Sequence, residues 1–220
     1  MLTDTLASLP SAEDYSSQSG IHPLIAQRRT RRAFSSRLVE PETLRTLLEA
    51  ARWAPSSMNE QPWRFIIARR EKSPEFERLL QCLLEFNIRW AQHAPVLMLA
   101  IAKLSFTATG EGNRHALYDV GQAMAALTYQ ASAFSLTVSQ MAGFDVQKAR
   151  GLYSIPPDYE PVVAAAIGYH GDPTILPEKL QQKELAPRRR NSQEEFVFES
   201  KWGRPPDWTN ESASGRLVGS

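Results

Sequence analysis

Strand-length apolar runs alternating with amphipathic helices predict an α/β or α+β fold, a sheet carrying helices on its faces. Three observations support this. Pro95–Lys103 is continuous in Val, Leu, Met, Ala and Ile, as a central strand covered on both faces requires. Phe65–Ala68 and Pro161–Tyr169 are further apolar runs of strand length. Between them, Leu44, Leu47, Leu48 and Ala51 recur at i, i+3, i+4 and i+7, which is one face of a helix.

In chain order, residues 1–20 are acidic and Ser-rich and read as a flexible leader. They lack the basic and apolar regions of a signal peptide. No run approaches the roughly 20 apolar residues that span a bilayer, so a cytoplasmic protein without membrane partners is expected. His22–Arg29 is a brief helix with Pro23 in its first turn and Leu24 and Ile25 turned inward. The next helix opens at Pro41 and stops before Pro55. Another opens at Pro74, with Phe76, Leu79, Leu80, Leu83, Leu84 and Ile88 on one face. Leu104–Arg114 is a Gly-containing loop, a candidate cover for a site but more readily a plain connector.

Ala116–Phe134 is the longest predicted helix. Leu117, Val120, Met124, Leu127, Ala131 and Phe134 form a seam, and Gly121, Ala125 and Ala126 form a second face of small residues. Two packing faces indicate a central core helix or a subunit interface. Leu136–Ser139 is a short strand leading to a turn at Gly143, where the backbone comes close to a neighbour. Val146–Tyr153 is a helix stopped by Pro156 and Pro157, and Glu178–Leu185 is another short helix. Glu195–Phe198 alternates weakly, as an edge or exchanged strand would. Residues 21–203 form the expected single domain, and 204–220 a loose tail.

Composition narrows the function. The net charge of +1 argues against broad attraction to nucleic acid or acidic membranes. Against that balance, Arg28, Arg29, Arg31 and Arg32, and later Arg188, Arg189 and Arg190, are local concentrations suited to a small anion. Cys82 is the only cysteine, which excludes an intrachain disulfide and a thiolate metal cluster. His22, His93, His115 and His170 lack ligand spacing, so no metal centre is expected. The dinucleotide fingerprint Gly-x-Gly-x-x-Gly and the Walker A loop are absent; a nucleotide cofactor would be held by arginines and turns.

The most informative stretch is Arg28–Trp63. It begins Arg28-Arg29-Thr30-Arg31-Arg32-Ala33-Phe34, continues through a helix, and ends Ala54-Pro55-Ser56-Ser57-Met58-Asn59-Glu60-Gln61-Pro62-Trp63. Guanidinium groups fork onto phosphate or carboxylate, and two prolines stiffen the polar turn. A cationic end and a rigid turn separated by a short rod suit an elongated ligand with an anionic tail. Taken singly, the basic cluster reads more readily as a solvated charged face or a nonspecific nucleic-acid patch than as a cofactor site, and the turn more readily as an ordinary loop.

Taken together, with Glu49-Ala50-Ala51 closing the helix between them, these motifs resemble the nitroreductase family of FMN-dependent, NAD(P)H-using oxidoreductases. Asp119-Val120-Gly121 and Gly143-Phe144-Asp145 match further family positions. The resemblance spans roughly residues 21–203. It implies an α+β fold with a mixed central sheet flanked by helices, and a homodimer with FMN at each subunit interface. It also implies roles for individual residues. Arg28, Arg29, Thr30 and Arg32 would hold the ribityl phosphate and the pyrimidine edge. Pro55, Ser56, Ser57 and Asn59 would reach the flavin from the partner subunit. Gln140, Met141, Ala142 and Gly143 would lie along the ring, and Arg188 and Arg190, with Arg189 as a substitute, would close on the phosphate.

No side chain takes a catalytic label, because the flavin carries the chemistry. The implied reaction passes a hydride from NAD(P)H through FMN to a nitroaromatic or quinone, in ping-pong order. Gln140-Met141-Ala142 is more polar than the family's usual residues there, which leaves open a specialised reaction such as reductive dehalogenation or flavin consumption. A non-enzymatic module binding anions or nucleic acid through its arginines is a third reading, disfavoured by the balanced charge.

Overall fold

The computed structural model describes residues 20–209, which form two compact units, one running through Leu185 and one starting at Ala186. Most of the expected leader (residues 1–19) and part of the expected tail (residues 210–220) lie outside the described residues.

Four strands order the first unit: β1 (Trp63–Arg69), β2 (Val96–Lys103), β3 (Leu136–Met141) and β4 (Tyr159–Tyr169), arranged β1-β2-β4-β3. All three pairings are antiparallel, so no parallel pair of a mixed sheet occurs among the described residues. Among the described residues seven α-helices accompany the strands, giving the expected α+β class: α1 (Pro23–Gln27), α2 (Pro41–Arg52), α3 (Ser73–Leu80), α4 (Glu85–Ala91), α5 (Ala116–Ala133), α6 (Val146–Tyr153) and α7 (Glu178–Leu185).

The sheet has a core on each face because β2 alternates between them. Leu97, Leu99 and Ile101 join Phe76, Leu79 and Trp90 on one side. Val96, Met98 and Ala100 join Leu47, Val120, Met124 and Leu127 on the other. Each fully buried large side chain contributes about 1.5–3 kcal/mol, and β2 is buried from Val96 through Ala102. On β3, Leu136 and Val138 pack into the second core while Met141 packs into the first.

Three local expectations change. The helix expected from Pro74 through Ile88 is two helices. Leu84 N–H donates to the Gly143 carbonyl at 3.1 Å and Asp145 N–H to the Cys82 carbonyl at 2.7 Å, and Leu83 bridges to Phe144. These distant partners take up backbone groups that a continuous helix would use itself, and the chain turns at Gln81–Leu84. Glu195–Phe198 is not a strand. A short 3₁₀ turn, Gln193–Glu195, occupies the start of it, closed by reciprocal capping between Ser192 and Glu195. Ile25, expected to face inward, is 46 % exposed, and Ala26 is the buried residue of α1.

The second unit contains that turn and another at Asp207–Thr209. Within it the rings of Phe198 and Trp202 meet with centroids 4.8 Å apart.

Candidate functional site

The Arg28–Phe34 segment leaves α1 without continuing as helix, and three elements hold it. From β3, the Ser139 hydroxyl donates to the Arg31 carbonyl. At the end of β4, Gly171 N–H donates to the Ala33 carbonyl at 2.9 Å, and Ser35 N–H donates to the Tyr169 carbonyl at 3.0 Å. From α7, the buried Glu184 carboxylate accepts Arg32 N–H at 3.0 Å, His170 Nε2 at 3.3 Å and Ala33 N–H. Burial by itself would raise the pKa of Glu184. The donors from His170, Arg32 and Ala33 outweigh it and hold the carboxyl below its ordinary value.

Held this way, the segment sends side chains into two cavities. Arg28 and Thr30 line a cavity of about 260 Å³ with Thr128 and Tyr129 of α5 and Val138 and Gln140 of β3. Arg28 Nη1 donates to Thr30 Oγ1 at 3.5 Å. Gln140 Nε2 donates to Thr128 Oγ1 at 3.4 Å, and that hydroxyl donates to the Met124 carbonyl at 2.6 Å. The polar lining comprises a guanidinium, hydroxyls and a carboxamide, with no carboxylate, beside the apolar Ala125 and Val138. This set suits part of a flat anionic ligand such as FMN. The volume falls just under the ~300–1,000 Å³ usual for a whole small-molecule site, so the cavity encloses only part of one.

The polar turn is a separate, strained structure. Met58, Asn59 and Gln61 all have positive φ, at 53°, 54° and 50°, each costing on the order of 1–3 kcal/mol in a non-glycine residue. Its hydrogen bonds offset that cost. Ser57 N–H donates to Asp119 Oδ2 at 3.0 Å, Gln61 N–H to Ser56 Oγ at 3.0 Å, and Gln61 Nε2 to Asn59 Oδ1 at 3.0 Å. Gln122 Nε2 reaches the Pro55 carbonyl at 3.4 Å, so α5 holds the turn at two points. The connector after β2 adds a third hold, with Thr107 N–H donating to the Glu60 carboxylate at 2.9 Å.

The remaining expected site residues are dispersed. Arg29 lies with Arg31 in the second cavity, and the Arg32 guanidinium carbon sits 5.7 Å from the centre of the Trp90 ring. Met141 is buried in the core, so only its backbone faces the strand edge. Gly143 is the close approach anticipated from the sequence, and its neighbours belong to α4. A Cβ there would stand 2.5 Å from Phe86 Cζ and 2.8 Å from Asn87 Nδ2, and Asn87 Nδ2 donates to the Gly143 carbonyl at 2.9 Å. Arg188 and Arg190 belong to the second unit, where Arg190 Nη1 donates to the Arg189 carbonyl at 2.7 Å.

The model of the nitroreductase family matches residues 25–169. The chain belongs to the nitroreductase family.

A solved structure described as an oxidoreductase containing FMN superposes with a TM-score of 0.82 at 29 % identity, covering 89 % of this chain and 100 % of that one. An uncharacterised 15.4 kDa protein of Mycolicibacterium smegmatis is 32 % identical over 151 residues, 64 % of this chain and 99 % of its own length. A Thermus thermophilus protein named NADH dehydrogenase is 27 % identical over 175 residues, 65 % of this chain and 83 % of its own.

Within this nitroreductase-family chain, Asp119, Thr128, Tyr129, His170 and Glu184 have structural roles at the site that sequence reasoning did not assign. Asp119 stood within a matched family position, but nothing local links it to Ser57. Glu184 lies in an otherwise polar helix, and its burial has no local signal.

Proposed function

We propose that the chain is an FMN-dependent oxidoreductase that takes a hydride from NADH or NADPH and delivers it to an electron-poor acceptor such as a quinone or nitroaromatic, in alternating half-reactions. The observation that supports this most is the cavity joining Arg28, Thr30 and Gln140 in a chain of this family. When bound, FMN supplies the atom that accepts and returns the hydride.

The protein's share is binding, orientation and charge. Arg28, with Arg29, Thr30 and Arg32, holds the phosphate and the pyrimidine edge, and a guanidinium there stabilises negative charge on the reduced ring. Gln140, Met141, Ala142 and Gly143 lie along the ring, with backbone N–H groups as donors. Arg188 and Arg190 close on the phosphate.

A homodimer completes the site, with Pro55, Ser56, Ser57 and Asn59 reaching the partner's flavin. The support is an exposed face around the turn and α5: Met58 is 88 % exposed, Tyr118 68 % and Leu117 51 %, beside exposed Gly121 and Ala125. No helix among the described residues is long and apolar enough to cross a membrane, and we place the enzyme in the cytoplasm.

Steady-state oxidation of NADPH and NADH with a quinone or a nitroaromatic tests the reaction. Parallel double-reciprocal lines are expected. An FMN-loaded protein that oxidises neither coenzyme with any such acceptor would overturn the acceptor class and favour a specialised flavin reaction.

A further inference from the structure

The cavity bordered by Arg28 and Thr30 contains an acceptor whose direction is set by its neighbours. The Thr128 hydroxyl commits its single proton to the Met124 carbonyl at 2.6 Å. Its oxygen can then only accept, so the edge of the Gln140 carboxamide that faces it at 3.4 Å is the amino edge. Gln140 Oε1 therefore turns away from Thr128, and it has no hydrogen-bond partner among the described residues. The side chain is exposed, and Oε1 is not one of the buried polar atoms, so it is open to a ligand. Strand alternation fixes the side chain's face: Val138, two residues before it, packs in the core under α5, and Met141, the next residue, turns into the opposite core.

The lining decides which part of a flavin fits here. Only Ala125 and Val138 are aliphatic; the other lining side chains carry a guanidinium, hydroxyls or the carboxamide. A fused ring system needs flat apolar walls and, when oxidised, offers a single N–H donor. A polyol phosphate offers an anion for the guanidinium and several O–H donors for a free acceptor such as Gln140 Oε1. The cavity, at about 260 Å³, has room for part of a ligand of this kind.

We propose that this cavity takes the ribityl-phosphate tail of the flavin, and that Gln140 Oε1 accepts a hydrogen bond from a ribityl hydroxyl, selecting the hydroxylated tail. Thr128 is a positioning residue: it touches no part of the flavin in this arrangement but holds the carboxamide with its oxygen outward. The inference rests on the proposed FMN reading and deepens it. The Gln140 backbone lies along the ring, and its side chain reads the tail.

The test is fluorescence titration of the full chain with FMN and with the three analogues of FMN that each lack one ribityl hydroxyl. The native sequence is expected to bind one analogue roughly three- to tenfold more weakly than FMN, the size of one neutral hydrogen bond. Gln140→Leu should weaken FMN by the same factor and leave that analogue unchanged, closing the gap as a cycle over protein and ligand. Thr128→Val keeps the side-chain shape but cannot accept from the carboxamide, and should narrow the gap; Thr128→Ser should preserve it. Circular dichroism confirms that each variant is folded. FMN binding with equal affinity for all three analogues would overturn the inference and leave the flavin reading standing. So would a Gln140→Leu loss shared equally by FMN and every analogue, which would put the contact on the ring. A gap that survives Thr128→Val would overturn the orienting role of Thr128. Failure of the native sequence to take up FMN would overturn the flavin reading and this inference with it.

Discussion

The Asp119 carboxylate on α5 accepts a hydrogen bond from Ser57 N–H at 3.0 Å, joining positions 62 residues apart. It ties the longest helix to a turn that carries three left-handed non-glycine residues. The strain therefore persists because α5 overdetermines the turn. Asp119 is itself buried, so the bond is made where an unpaired partner is costly.

Asp119→Ala removes the acceptor and leaves the Ser57 N–H without it. The expected loss is about 1–3 kcal/mol in urea unfolding, accompanied by weaker FMN retention in the dimer. Unchanged stability would show that water replaces the carboxylate without penalty.

Two glycines should rank in a definite order. A Cβ on Gly171 would stand 2.5 Å from the Phe34 carbonyl carbon and 2.6 Å from Ser35 N, both backbone atoms that also position the arginine segment. A Cβ on Gly143 would meet the side chains of Phe86, itself 59 % exposed, and Asn87. Gly171→Ala should cost about 3 kcal/mol or more and Gly143→Ala about 1–2 kcal/mol. Phe86→Ala should relieve part of the Gly143→Ala penalty, as a double-mutant cycle would show.

Glu184 sets an acid-side dependence. Its folded pKa lies below its unfolded value of about 4.3. Below that value the unfolded chain binds the proton more readily, so stability is full above about pH 4.3 and falls as pH drops toward the lower folded pKa. Glu184→Gln should lose about 1.5–3 kcal/mol near neutrality and should show a shallower decline below pH 4.3. Parallel pH profiles for the two proteins would contradict this.

Tyr153 offers a substitution expected to do no harm. Its hydroxyl is buried without a partner among the described residues, and desolvation pushes its pKa up to about 12. Tyr153→Phe removes an unsatisfied polar group and should be neutral or stabilising by about 1 kcal/mol in thermal or urea unfolding. A loss above that size would reveal a partner such as an ordered water.

What the sequence made legible was local. Helix α2 follows from Leu44, Leu47 and Ala51 at helical spacing after Pro41, and all three are buried. Strand β2 follows from one unbroken apolar run. What was illegible depends on distant partners. Leu83 and Leu84 continue the helical pattern, yet their backbone groups and neighbours pair with Gly143–Asp145. The arginine cluster was visible as a cluster, but which cavity each guanidinium enters depends on Ser139, Gly171 and Glu184, up to 152 positions away. The strand expected over Leu136–Ser139 runs on to Met141, which places Gln140 within β3 on the face that meets α5.

The most direct measurement is the visible spectrum of the purified protein supplied with FMN, before and after anaerobic NADPH or NADH. The account predicts protein-bound flavin bands that bleach on adding one of these coenzymes, with Arg28→Ala weakening FMN binding roughly 10–100-fold, as loss of a charged hydrogen bond implies. A colourless protein that fails to take up FMN would contradict it.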